Sequence, residues 1–197
     1  MMTWRAISAL ATLTAALIFS GCESRGVAGG SKQSTEFIRT SCSATAYPSL
    51  CYTSLSAHAA AIQQNPKLLA NAALSASLDT AASASADMAK LSRAAGMTHR
   101  EVGAMRDCVE ELADSVDQIK KSMAEMERIT PSNFEAVISD AQTWVSAALT
   151  DEDTCMDGFA GKTMAGGVKT AVRGKVVNVA HMTSNALSLI NNYATLH

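Results

Sequence analysis

Cys42 and Cys51 bracket a Tyr-Pro pair in the stretch SCSATAYPSLCYTSL, and Cys108 and Cys155 lie further along the chain. Cysteines could hold a metal, run a redox couple or form structural disulfides. Zinc asks for short paired spacings such as C-x2-C, with more cysteine or histidine nearby. The four histidines (His58, His99, His181, His197) are scattered and make no such pattern. A redox C-x-x-C is also absent, so the pattern points to structural bridges. Other chemistry is equally hard to place. No G-x-S-x-G elbow occurs, and no histidine sits in a nucleophile motif. Gly161-Lys162-Thr163 ends like a phosphate-binding loop, but Met156 stands where the first glycine belongs and no strand pattern precedes it. No catalytic residue, metal ligand or cofactor is assigned. The expectation is a protein that is not an enzyme.

The N-terminus bears on the cysteines. MMTWRAISALATLTAALIFSGC has one early cation, Arg5, an apolar run from Ala6 to Phe19, and small residues after it. This is the layout of a secretory signal peptide, and the run is shorter than the roughly 20 residues that span a bilayer. FSGC also faintly resembles a bacterial lipoprotein acceptor site, although Phe19 fits it poorly. Residues 1–28 are read as signal and leader, and 24–35 (SRGVAGGSKQST) as a flexible segment. Cleavage would remove Cys22 and leave four cysteines in a secreted chain, which reads as two disulfides. Three pairings are open to them. Cys42–Cys51 with Cys108–Cys155 is the simplest, worth about 2.7 and 4 kcal/mol by loop closure.

The elements that would position these residues read as helices. Alanine, serine, leucine and methionine dominate, aromatic residues are few, and strand-like alternation is hard to find. Asn65-Pro66 supplies a cap and a first-turn proline, and the helix it starts is expected to run to Ala95 before Gly96. Thr98-His99-Arg100-Glu101 is a capping box, and Ser132-Asn133-Phe134-Glu135 after Pro131 is a second. Glycines at 158, 161, 166 and 167 mark a third break, and a last helix is expected over 169–194. In the second helix Val102, Met105, Val109, Leu112, Val116, Ile119, Met123 and Met126 form a heptad seam. The third offers Phe134, Ile138, Ala141, Val145, Ala148, Cys155 and Phe159, and the fourth Val179, Met182, Ala186, Leu189 and Tyr193. Short breaks between such stripes predict an all-α, up-down-up-down four-helix bundle over 65–195. Residues 36–60 are expected to form a small helical hairpin, with Tyr47-Pro48 at or near its turn.

Charge is unevenly spread. Glu101 to Asp157 holds fourteen acids and four bases, a net of −10, whereas Gly158 to the end holds four bases and no acids. A nucleic-acid-binding face would be basic, so the patterned middle has the wrong sign for one. Asp107, Glu110, Asp114 and Asp117 step along the outward side of the second helix, and Thr150, Asp153 and Asp157 along the third. Charged outer faces are usually just solvated. Held side by side, however, these rows would make one acidic surface able to steer a basic partner.

The chain resembles the plant pectin methylesterase inhibitor / invertase inhibitor family over residues 36–197. The resemblance rests on Cys42-x4-Tyr47-Pro48-x2-Cys51, on Asp107-Cys108-x-Glu110, on WVSAALTDEDTCMDGF from Trp144, and on SNALSLINN from Ser184. It implies pairing of the first cysteine with the second and the third with the fourth. It also implies an N-terminal helical hairpin on a four-helix bundle, and a secreted, non-catalytic protein of the apoplast or cell wall, free of the membrane once its signal is cleaved. Members bind pectin methylesterase or, alternatively, acid invertase, and block the active-site cleft. Invertase inhibitors typically carry Pro-Lys-Phe, which neither Pro66-Lys67-Leu68 nor Pro131-Ser132-Asn133-Phe134 matches, so the esterase is the expected partner. By offset from the cysteines, the resemblance implies partner contacts at Glu110, Asp114, Asp117, Thr154 and Asp157, with Thr154 one residue off the outward row. Two other readings fit the sequence less well. A wall protein binding pectin or calcium through the acidic face is disfavoured by charge repulsion and the lack of an EF-hand loop. A pro-region of a larger esterase is disfavoured because the chain ends at His197 with no catalytic domain.

Overall fold

The computed structural model describes residues 25–161, 164 and 166–196, with 25–31 described by their backbone alone. Residues 1–24, most of the expected signal, and Lys162-Thr163 of the GKT triplet lie outside the described residues. The described chain is helical: α1 (Arg25–Cys42), α2 (Pro48–Leu55), a 3-10 turn at Ser56–His58, α3 (Ala59–Ile62), α4 (Pro66–Leu91), α5 (His99–Arg128), α6 (Phe134–Gly158) and α7 (Gly167–Thr195). The last four form the up-down-up-down bundle, α5 packing on α4 and α6, and α7 closing the ring on the same two helices. The described helices include none long and apolar enough to cross a membrane.

Local chemistry sets most of the boundaries. Asn65 Oδ1 accepts from the backbone N–H groups of Lys67 at 2.9 Å and Leu68 at 3.2 Å, and Pro66 fills the first turn of α4. The first capping box forms: Glu101 N–H donates to Thr98 Oγ1 at 3.3 Å, and Thr98 N–H donates to Glu101 Oε2 at 2.8 Å. The second does not. Asn133 turns back instead: its Oδ1 accepts from Thr130 N–H at 2.6 Å and its Nδ2 donates to Arg128 O at 3.0 Å. These bonds serve the end of α5, and α6 starts without a side-chain cap. α4 also stops at Leu91, short of the expected Ala95. Ser92 caps it, and Gly96 takes φ +89° in the following turn, a conformation glycine adopts without Cβ strain.

Two further expectations change. The 24–35 segment is α1 from Arg25 onward rather than a flexible leader. Ser34, Ile38 and Cys42, four residues apart, are all buried and pin one face of α1 to the core. The seam of α5 is also displaced. Met105, Leu112, Ile119 and Met126 are buried as expected, but the alternating positions are Cys108, Ser115 and Ser122. Val102 is 48% exposed, and Val109, Val116 and Met123 lie at the flank. The small residues face α6 and let the two helices close up, and Ser122 Oγ donates to Ala141 O at 3.0 Å.

The cysteines pair as Cys42–Cys51 and Cys108–Cys155. The first closes the hairpin of α1 and α2, with Pro48 starting α2. Asn185 of α7 docks that hairpin, its Oδ1 accepting from Tyr47 N–H and its Nδ2 donating to Tyr47 O, both at 3.0 Å. The Tyr47 and His181 rings stack beside these bonds at 3.6 Å between centroids.

Candidate functional site

The Cys108–Cys155 bridge holds the Cα atoms of these two residues 4.2 Å apart and ties α5 to α6, so the outer faces of the two helices form one surface. Glu110, Asp114 and Asp117 are exposed on α5, and Thr154 and Asp157 on α6, with Asp107, Thr150 and Asp153 exposed beside them. Asp117 accepts from Lys120 Nζ at 3.0 Å, and Asp107 from Arg106 at 3.2 Å. The Thr154 hydroxyl donates to Thr150 O at 2.7 Å and so offers a partner only its acceptor lone pairs.

Between the rows lie groups that the spacing alone does not single out. Glu111 on α5 and Asp151 on α6 are half-buried, and Gln118 Nε2 donates to Asp151 Oδ2 at 3.0 Å across the helix pair. Burial pushes the Glu111 carboxyl above its ordinary range, and Asp151, Asp114, Glu110 and Asp107 add repulsion. Burial likewise raises Asp151, with the Gln118 hydrogen bond opposing and the Asp114 charge adding. The acids of the two helices thus act on one another, and a cation set among them would relieve that repulsion.

Beneath the surface sits Glu152, fully buried. It fills the position left empty between Ala148 and Cys155 in the expected α6 stripe. Ser115 of α5 and Thr183 of α7 both donate to its Oε1, at 2.8 and 2.9 Å, while Oε2 is buried with no hydrogen-bond partner. Burial pushes this carboxyl up to about 7, against the pull of the two hydroxyl donors. Below that pH a neutral Glu152 ties three helices together without a buried charge. The signal for it in the sequence was its four- and three-residue spacing to Ala148 and Cys155, obscured by its acidic side chain.

The described histidines are apart: His58 and His99 are exposed, and His181 is stacked on Tyr47. Among the described residues no group of three or more His, Cys, Asp or Glu is placed to hold a metal ion. What this arrangement offers is one acidic surface spanning two disulfide-bridged helices.

A family model described as plant invertase/pectin methylesterase inhibitor matches residues 36–189. The chain is 46% identical over 184 residues to the "21 kDa protein" of Daucus carota, covering 92% of this chain and 95% of that one. It is 49% identical over 163 residues to "Pectinesterase inhibitor 10" of Arabidopsis thaliana, covering 81% of this chain and 52% of that protein. Its fold is similar to a solved mutant form of a pectin methylesterase inhibitor from Arabidopsis, with a TM-score of 0.64 and 23% identity over 78% of this chain and 95% of that one.

Proposed function

The chain belongs to the plant invertase/pectin methylesterase inhibitor family, and from that premise we propose that it inhibits pectin methylesterase by docking its α5/α6 face over the enzyme's pectin-binding cleft. In this reading it has no catalytic activity of its own. Residues 1–28 are a removable signal and leader, residues 36–197 form the inhibitor domain, and the protein acts outside the cell, in the wall. The observation that carries the docking reading is the acidic surface shared by two bridged helices. Its carboxylates suit cations in a cleft built for an anionic polysaccharide. The name carried by the Arabidopsis relative supports the esterase as target.

Glu110, Asp114, Asp117, Thr154 and Asp157 are the proposed contacts. The four carboxylates would pair with basic groups of the cleft, and Thr154 would accept a hydrogen bond. The mechanism is exclusion: with the bundle seated, pectin cannot enter, and hydrolysis of its methyl esters stops. Steady-state kinetics test this directly. Exclusion predicts that the oxidised protein raises the esterase's apparent KM for pectin while kcat at saturating pectin is preserved. A fall in kcat with KM unchanged would place the contact away from the cleft and reject the mechanism.

A further inference from the structure

The bundle is electrically two-sided. α5 and α6 together carry fourteen acids and five bases, a net of −9, whereas α4 and α7 carry five bases and two acids, a net of +3. The bases gather where the end of α4 meets the start of α7. Asp87 accepts from Lys175 Nζ at 2.5 Å and from Lys90 Nζ at 3.4 Å, so one carboxylate sits between two ammonium groups. These donors hold it below the usual carboxylate range. Arg173 and Lys169, one turn apart on α7, add two more cations; Arg173 is exposed, and Lys169 Nζ donates to Gly161 O at 3.2 Å.

The surface around these cations is shaped as well as charged. Two shallow depressions, of about 560 and about 540 Å³, meet at Gly174 and Asn178 on either side of α7. Gly174 lies inside the helix between Arg173 and Lys175, where glycine is less favourable than alanine. A Cβ there would meet nothing within 4 Å, so packing within the chain does not call for glycine. Its missing side chain keeps α7 low where the two depressions meet, and the two together are termed the trough. Thr170 and Asn178 line it on α7, and Thr80 and Ser83 on α4, groups suited to sugar hydroxyls. Asp79 closes the α4 end and limits how far an anion could extend.

We propose that this α4/α7 trough is a second binding surface, for a run of uronate residues in an anionic polysaccharide. Arg173 takes a carboxylate directly, Lys175 adds the donors that its pairing with Asp87 leaves over, and the hydroxyl and amide groups take the sugar hydroxyls. The choice of a uronate polymer rests on the inhibitor reading, since de-esterification of pectin produces carboxylates; the charge and shape of the trough do not depend on it. The trough lies on the layer opposite the acidic face, so a seated inhibitor would still present it to the polymer.

The test is retention of the oxidised protein on immobilised polygalacturonate, with fully methyl-esterified pectin as the uncharged control. Selective retention that fades as salt rises is expected. Arg173→Glu should weaken it roughly tenfold. Gly174→Gln should also weaken it by filling the trough, while leaving the melting temperature unchanged or higher. Equal retention on the two polymers, or unchanged binding by a folded R173E variant, would overturn the proposal. Esterase inhibition is read on the same samples and separates the two readings. Polymer binding without inhibition would reject the inhibitor reading, and inhibition without polymer binding would reject this one.

Discussion

Glu152→Gln removes the one acid or base buried among the described residues. In the folded bundle this carboxyl keeps its proton up to about pH 7, whereas the unfolded chain releases it near the ordinary 4.5. Between those values the folded state binds the extra proton. The contribution is therefore fully present below about pH 4.5 and is lost as pH rises through 7. Complete ionisation corresponds to about 3 kcal/mol. In a domain of this size that lowers the melting temperature by about 6–12 °C. Glutamine cannot ionise and keeps an oxygen for the Ser115 and Thr183 hydroxyls. It also puts an amide where Oε2 has no partner, a cost of about 1–3 kcal/mol at every pH. The variant should be less stable than wild type at pH 4 and equally or more stable at pH 8. Urea unfolding followed by circular dichroism at half-unit pH steps gives both curves. Their difference isolates Glu152, because Glu36, Asp87 and Glu101, lowered by their partners, and Glu111 and Asp151, raised by burial, are common to both proteins. A difference that does not change with pH would refute the reasoning.

Three other outcomes follow from the same structure. Replacing Asp114 and Asp117 with lysine should weaken esterase inhibition roughly tenfold or more in an enzyme titration, with an unchanged melting curve, because both side chains are exposed. Replacing Cys108 and Cys155 with serine should cost about 4 kcal/mol in denaturant unfolding, and opening Cys42–Cys51 about 2.7 kcal/mol; equal losses would contradict the loop-closure account. Asn185→Ala removes both hydrogen bonds that hold Tyr47, and the loss should appear as faster amide exchange in α1 and α2, with the amides of the α5/α6 core little changed.

The bundle and the outward acidic rows were legible because they depend on helical spacing and charge, which a sequence displays directly. Two boundaries and the α5 seam were not. Cys108, Ser115 and Ser122 are small or polar in type, and valine and methionine at the adjacent positions look like better core residues. Only the close approach of α6, with Ser122 bonded to Ala141 O and Ser115 to Glu152, shows why small residues occupy the core positions. Glu152 was hidden for the same reason. An acid inside an apolar stripe reads as a gap until donors from α5 and α7 are seen to meet it. Ser132-x-x-Glu135 has the composition of a capping box, yet Asn133 is taken by the end of the preceding helix, a competition that local pattern does not reveal. The leader failed similarly, since the fold of 32–42 follows from buried Ser34 and Ile38 rather than from its polar composition.

The central claim is that this bundle blocks a pectin methylesterase. The most direct measurement is a parallel titration of the mature, oxidised protein against a plant pectin methylesterase and an acid invertase under matched conditions. Loss of methyl-ester hydrolysis with sucrose hydrolysis intact is the predicted result. Loss of invertase activity with the esterase untouched would contradict the claim, leaving the fold and the family in place and transferring the acidic face to a different target.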